Sequence, residues 1–225
     1  MEASLQGLVT LYEDHAIQRM TTALTRSAEL EAVIRGAWES STVPNAPRTH
    51  AVVGLCAVSL DHGAAARDVL VRFPASAIAL VRPQYESLVR AVWAAHAAPE
   101  DELSRLLAPL SLDSQQAAKK LPGVPQMLEA LECAGPPGAS ALLARARSRL
   151  GDGLNSFIHG GIHPFARQRD GYPVALLLDV TKNTNALSML TLLLLATLAE
   201  DVAVTESLPE LHQAFADVLP TLEPI

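Results

Sequence analysis

The chain has 225 residues, of which 49% are hydrophobic and 18% charged, and its net charge is −7. This length is enough for one sizeable apolar core, and the composition excludes a disordered chain. The negative balance argues against a protein that coats DNA or an anionic membrane. Two cysteines are too few for a disulfide framework, so we expect a cytoplasmic protein.

Apolar residues at helical spacing predict a long N-terminal helix over residues 4–38. A loop rich in Ser, Thr and Pro follows at 40–47, and Thr49 is placed to cap a second helix reaching about residue 71. Ser76 is placed to cap a third helix that ends near residue 98. Pro99 and the acidic residues after it begin a fourth helix, where the helix dipole favours negative charge.

The second half of the chain also has helical patterns. Short helices broken by prolines are expected over residues 110–138, then one long helix over 139–159 and a polar, basic loop over 163–172. A further long helix is predicted from 173 to about 204. Its apolar stretch at 183–199 is interrupted by Asn, Thr and Ser, which favours a core helix over a membrane span. A short acidic helix over 206–220 completes the prediction.

These elements predict an all-α fold, a helical bundle of about seven helices in a single domain over residues 1–225. Residues 49–204 form the core of the predicted bundle.

One charged stripe stands out on the third predicted helix. Arg82, Glu86 and Arg90 follow each other at intervals of four residues, so they lie along one face beside an apolar arc that contains Tyr85. This spacing is typical of a solvated ladder of ion pairs. Charges at the edge of an apolar face also occur at the lip of a binding site, so both interpretations stay open.

A second informative segment covers residues 154–164. Asn155 and His159 are four residues apart, so they share a helix face if the helix continues through both. A neutral imidazole can act as a general base, and a neighbouring amide can orient it or bind an oxyanion. Gly160 and Gly161 either let a ligand approach the backbone or end the helix. A structural role for a histidine at a helix C-terminus is the alternative.

Other site types lack support in the sequence. His159 and His163 have a spacing seen in metal sites, but the two glycines between them break the helix that would aim both rings together, so no metal and no cofactor are expected. Arginines at 145, 147 and 149, and again at 167 and 169, flank the His159 segment. They form either a local positive patch or a solvated face.

Two segments together resemble a bacterial family of all-helical proteins of unknown function. These are residues 76–93, which contain the charged stripe, and residues 154–164; residues 171–173 and Asn185 also fit. That family is distantly similar to the HEPN superfamily, helical dimers that include ribonuclease toxins, abortive-infection proteins and inactive RNA- or nucleotide-binding members. The resemblance therefore implies a HEPN-like fold, a homodimer, and RNA or an antitoxin-like protein as partner.

The resemblance also implies roles for particular residues. Active HEPN nucleases carry an arginine and a histidine separated by four to six residues, with a polar residue directly after the arginine. Asn155 and His159 match the polar residue and the histidine, but Leu154 stands in the arginine's place. The resemblance thus implies that Arg82 or Arg90 supplies the arginine from another helix.

In this hypothesis the chain is a metal-independent ribonuclease or an RNA-binding protein in defence. The catalytic residues would be His159, Asn155, Arg82, Arg90 and Glu86. Substrate binding would involve Tyr85, Gly160, Gly161, His163 and Arg149. The alternative is a non-catalytic, homodimeric partner-binding module in which the Arg, Glu and His side chains form a structural network.

Overall fold

The computed structural model describes residues 2–151 and 153–221, with side chains described from residue 14 onward. This part of the chain contains eleven helices and no strand, so the all-α class is confirmed, whereas the predicted count of about seven is too low. The helices are α1 (Glu2–Ser40), α2 (Pro47–Val69), α3 (Pro74–His96), α4 (Glu100–Leu107), α5 (Leu112–Ala118), α6 (Val124–Ala134), α7 (Ala139–Leu150), α8 (Gly153–Ile158), α9 (Ile162–Asp170), α10 (Val174–Leu198) and α11 (Val202–Ala214).

The core lies around α3, which packs against α2, α6, α8 and α10, while α1 packs along α10. Trp93, the largest fully buried side chain, is 1% exposed on α3. Burying an aromatic side chain of this size contributes about 2–3 kcal/mol to folding. Among the described residues no helix is long and apolar enough to cross a membrane.

A buried polar seam, formed by Gly63, Gln84, Thr184 and Ser188, joins α2, α3 and α10. Gln84 has no exposed surface, and its Nε2 donates to the Thr184 carbonyl oxygen at 3.0 Å and to Ser188 Oγ at 3.3 Å. Because a buried polar group without a partner costs about 1–3 kcal/mol, these bonds favour the one rotational position of α3 about its axis in which Gln84 faces α10.

The single helix predicted over residues 139–159 is wrong, because the structure divides it into α7 and α8. Gly151 adopts a φ of 67° and its N–H donates to the Arg147 carbonyl oxygen at 3.2 Å, which ends α7. Only glycine takes this conformation without a steric penalty. The chain therefore changes direction before Asn155, and α8 packs against α3 as a separate element.

The basic loop predicted over residues 163–172 is also wrong, because residues Ile162–Asp170 form α9. Pro164 stands in the first turn of this helix, where its missing N–H has no intrahelical partner to lose. Gly171, with a φ of 88°, ends the helix.

At the C-terminal end, α10 stops at Leu198 rather than near residue 204. Glu200 has a φ of 53°, and the Asp201 side chain then caps a new helix by accepting from the Val204 N–H at 3.0 Å. The last helix therefore covers Val202–Ala214 instead of 206–220.

Replacing Gly63 by alanine is expected to destabilise the protein. A Cβ at this position would lie 2.6 Å from Gln84 Nε2 and 3.2 Å from Ser188 Oγ. Gln84 cannot yield without breaking its bonds to α10, so we expect Gly63→Ala to lower the free energy of unfolding by about 1–3 kcal/mol in urea denaturation.

Gly54→Ala is the matched control in the same helix. Gly54 is exposed and a Cβ there meets nothing within 4 Å, so the higher helix propensity of alanine should stabilise the protein by about 0.5–1 kcal/mol. Equal stabilities for the two variants would contradict the close contact at Gly63.

Candidate functional site

The charged stripe of α3 lies at the border between core and solvent. Arg82 and Glu86 form an ion pair, with Nε donating to Glu86 Oε1 at 2.7 Å, and their side chains are 36% and 38% exposed. A pair this accessible and four residues apart on a helix contributes about 0.3–0.5 kcal/mol. On its own, therefore, this pair is a minor contribution to stability.

Arg82 also connects α3 to α8. Its Nη1 donates to Oδ1 of Asn155, an exposed residue in the middle of α8. We call Arg82, Glu86 and Asn155 the Arg82 cluster. One guanidinium thus binds two acceptors from two helices, and the two segments singled out in the sequence meet at this point.

Arg90 lies one turn beyond Glu86 on the same stripe but forms no ion pair in the described part of the chain. Its side chain is half-buried, and its Nε is buried without a hydrogen-bond partner among the described residues. A buried guanidinium N–H without an acceptor favours the approach of an anion.

His159 follows the last residue of α8 and is exposed. Its backbone N–H donates to the Asn155 carbonyl oxygen at 3.2 Å, which places the two residues one turn apart. Asn155 Oδ1 accepts from Arg82, and no hydrogen bond joins the Asn155 side chain to the imidazole of His159 among the described residues.

The two glycines after His159 form the turn between α8 and α9. Gly160 has a φ of 63°, and a Cβ on Gly161 would lie 2.5 Å from Ser156 Oγ. That same oxygen accepts from the His163 N–H at 3.0 Å, so the start of α9 folds back onto α8 and places exposed His163 beside the turn. Both glycines are thus required by the turn itself.

Tyr85 is part of the core in this structure. It is 4% exposed, and its hydroxyl donates to the Leu143 carbonyl oxygen at 3.0 Å, which fastens α3 to α7. Burial raises the pKa of the phenol to about 12, so Tyr85 stays neutral. Arg149, on α7, donates from Nη2 to the Thr221 carbonyl oxygen at 3.1 Å.

An apolar groove runs between α7 and α10. Two cavities of about 210 and 220 Å³ share Leu142 and Leu190, and most of their lining is aliphatic. Arg149 and His212 lie at the first cavity and His96 at the second. Burial, and next the nearby Arg48, lower the pKa of His96, which favours its neutral form.

A third cavity, of about 300 Å³, lies where the start of α3 meets the end of α9. Arg72, Ser76, Arg167 and Tyr172 are among its lining residues. Sequence reasoning noted Arg167 only as part of a basic cluster and did not single out Arg72 or Tyr172. The sequence feature that could have indicated this cavity is Arg72, which directly precedes Phe73 and Pro74 at the start of α3.

Within residues 2–151 and 153–221 there is no group of three or more His, Cys, Asp or Glu side chains that could hold a metal ion.

Comparison with known proteins assigns this chain to a family. No curated protein and no solved structure is found to match this chain. The model of DUF6988, a family of unknown function, matches residues 56–221, which include α3, the Arg82 cluster, His159 and α10. The match covers well over half of the 225 residues, and the chain belongs to the DUF6988 family.

Proposed function

We propose that this protein is a HEPN-like RNA-binding protein that cleaves RNA without a metal ion, in a defence or toxin–antitoxin setting. The observation that carries the proposal is the bond from Arg82 to Asn155, because it joins the α3 stripe to the segment that contains His159. The proposed site therefore combines cations from α3 with an imidazole that follows α8.

Charge supports this proposal. The site contains two guanidinium groups, Arg82 and Arg90, against the single carboxylate of Glu86, although the chain as a whole has a net charge of −7. A surplus of positive charge at a half-buried position favours a phosphoryl group, and most strongly the doubly charged phosphorane. Arg90, which forms no ion pair in the described part of the chain, is the residue assigned to it.

The hydrogen bond also defines the role of Asn155. Its Oδ1 accepts from Arg82, and its amide nitrogen, a donor, is the group that we assign to an anionic ligand. Asn155 then binds a non-bridging phosphoryl oxygen instead of orienting His159. Glu86 holds Arg82 in position and does not touch the substrate.

In the proposed reaction His159 accepts the proton of a ribose 2′-hydroxyl while the 2′-oxygen forms a bond to phosphorus. The bond from phosphorus to the 5′-oxygen then breaks, and the imidazolium returns its proton to that oxygen. The products are a 2′,3′-cyclic phosphate and a 5′-hydroxyl. An exposed imidazole at a helix end is accessible to a strand of RNA.

The second candidate is a non-catalytic, homodimeric partner-binding module, with an antitoxin-like protein or a second copy as partner. Two observations favour it. Arg82 already donates to two acceptors within the chain, and the apolar groove beside α10 offers a surface for a partner. In this candidate the Arg82 cluster serves only to fix α8 on α3.

His159→Ala tests the catalytic proposal. We expect wild-type protein to cleave labelled total transfer RNA and the variant to be slower by about 100-fold or more, because a general base contributes at least that factor. His50→Ala removes another exposed histidine, on α2, and should cleave at the wild-type rate. Equal cleavage by wild type and by folded His159→Ala would contradict the proposal. A folded wild type that neither binds nor cleaves RNA would favour the second candidate.

Glu86→Ala separates a structural network from a solvated ion pair. If the cluster is mainly structural, the variant should lose more than about 1 kcal/mol of unfolding free energy in urea; a solvated pair predicts about 0.5 kcal/mol or less. Asp101→Ala is the control, since Asp101 forms an accessible pair with Arg105 at the same four-residue spacing. A loss no larger than that of the control would contradict the structural candidate.

A further inference from the structure

The cavity between the start of α3 and the end of α9 is lined by two arginines from different parts of the chain. Arg72 precedes α3 and Arg167 belongs to the last turn of α9. Neither forms an ion pair with a carboxylate in the described part of the chain. The pKa of the Asp170 carboxyl is lowered mainly by its hydrogen bond to Arg169, and the charge of nearby Arg167 lowers it further. Two cations thus line the cavity, and no acidic side chain does.

The backbone adds donors at the same place. Helix α3 begins at Pro74, and Phe73 before it provides no side-chain cap. The N–H groups of Ala75 and Ser76, both cavity residues, belong to the first turn and have no intrahelical acceptor. The positive end of the helix dipole therefore coincides with the two arginines.

An unpartnered hydroxyl is a second, independent sign of a ligand. Tyr172 lines the cavity, and its Oη is buried without a hydrogen-bond partner among the described residues. Burial raises the pKa of this phenol while the charge of Arg167 opposes the rise, so the guanidinium lies near the ring. Native structures rarely leave such an atom without a partner, which points to a bound group.

Two exposed aromatic rings belong to the segments that form the cavity: Phe73 lines it, and Phe165 stands two residues before Arg167 on α9. Phe73 and Phe165 are 51% and 65% exposed, although apolar side chains of this size are usually buried. The Arg72 Cζ lies 5.1 Å from the Phe73 ring centroid, and the Arg169 Cζ lies 6.0 Å from that of Phe165. Exposed rings beside guanidinium groups form stacking platforms for unpaired bases.

We propose that this cavity is a phosphoryl-binding subsite for single-stranded RNA, with a base stacked on Phe73. Ala75 at the cavity and Arg82 are seven residues apart on α3, which is about 10 Å along the axis and about 20° around it. A strand bound in the cavity is therefore directed along the face that carries Arg82. The choice of RNA as the source of the phosphate rests on the proposed function; a free nucleotide shares the same chemistry.

The test compares the double variant Arg72→Gln/Arg167→Gln with a charge-matched control, Arg19→Gln/Arg105→Gln, which removes the exposed Arg19 from α1 and the half-buried Arg105, ion-paired with Asp101, from α4. The probes are inorganic phosphate, uridine 5′-monophosphate and a fluorescein-labelled 2′-O-methyl oligouridylate, which lacks the attacking hydroxyl. We expect the site variant to bind each probe at least tenfold more weakly than wild type and the control to stay within about twofold. The slope of log affinity against log salt for the oligonucleotide should decrease by about 1.4.

Stacking is tested separately with Phe73→Leu, which should weaken oligonucleotide binding about tenfold and leave phosphate binding unchanged. Oligonucleotide and phosphate binding by the arginine variant equal to that of the control would overturn the subsite, whatever His159→Ala shows. A third outcome is that the arginine variant loses phosphate and nucleotide binding, but wild type binds the oligonucleotide no more tightly than the nucleotide. That result supports the anion site and overturns RNA as its ligand. A wild type that binds none of the three probes overturns the inference.

Discussion

The candidate site depends on one guanidinium group. Arg82 donates to Glu86 on its own helix and to Asn155 on α8, and through Asn155 it determines where the chain places His159. Helix α8 has six residues, too few to be stable in isolation, so its position must come from contacts with α3. Because α8 is weakly stable by itself, the geometry of the site depends strongly on the Arg82–Asn155 hydrogen bond.

The orientation of α3 is fixed from the opposite side. Gln84 is buried in the polar seam and Trp93 in the core, so the helix cannot rotate without breaking hydrogen bonds to α10 or exposing the indole ring. In this rotational position of α3, the Arg82 side chain faces α8. Gly63 is part of the same constraint, because α2 can approach Gln84 only where it lacks a Cβ. A buried polar seam thus determines the geometry of a site at the surface.

The sequence predicted what depends on spacing within one helix and missed what depends on backbone conformation, while the approach of Arg82 to Asn155 was implied only by the family resemblance. The four-residue spacing predicted that Arg82 meets Glu86. That Arg82 also meets Asn155, 73 positions away, depends on the turn at Gly151, which sequence patterns placed inside one long helix. Tyr85 belonged to the predicted apolar arc, and the structure buries it. The cavity at Arg72 and Arg167 was missed because it combines residues from two distant segments.

The most direct measurement is amide hydrogen exchange in a double-mutant cycle of Arg82→Ala and Asn155→Ala. The informative amides are those of His159 and Gly161, which donate to the carbonyl oxygens of Asn155 and Ser156 at 3.2 and 2.8 Å. If the Arg82–Asn155 bond holds α8 in place, each single variant should exchange about fivefold faster at both amides. The double variant should then be no faster, a coupling of about 1 kcal/mol. Additive effects, or wild-type exchange in both single variants, would contradict the account.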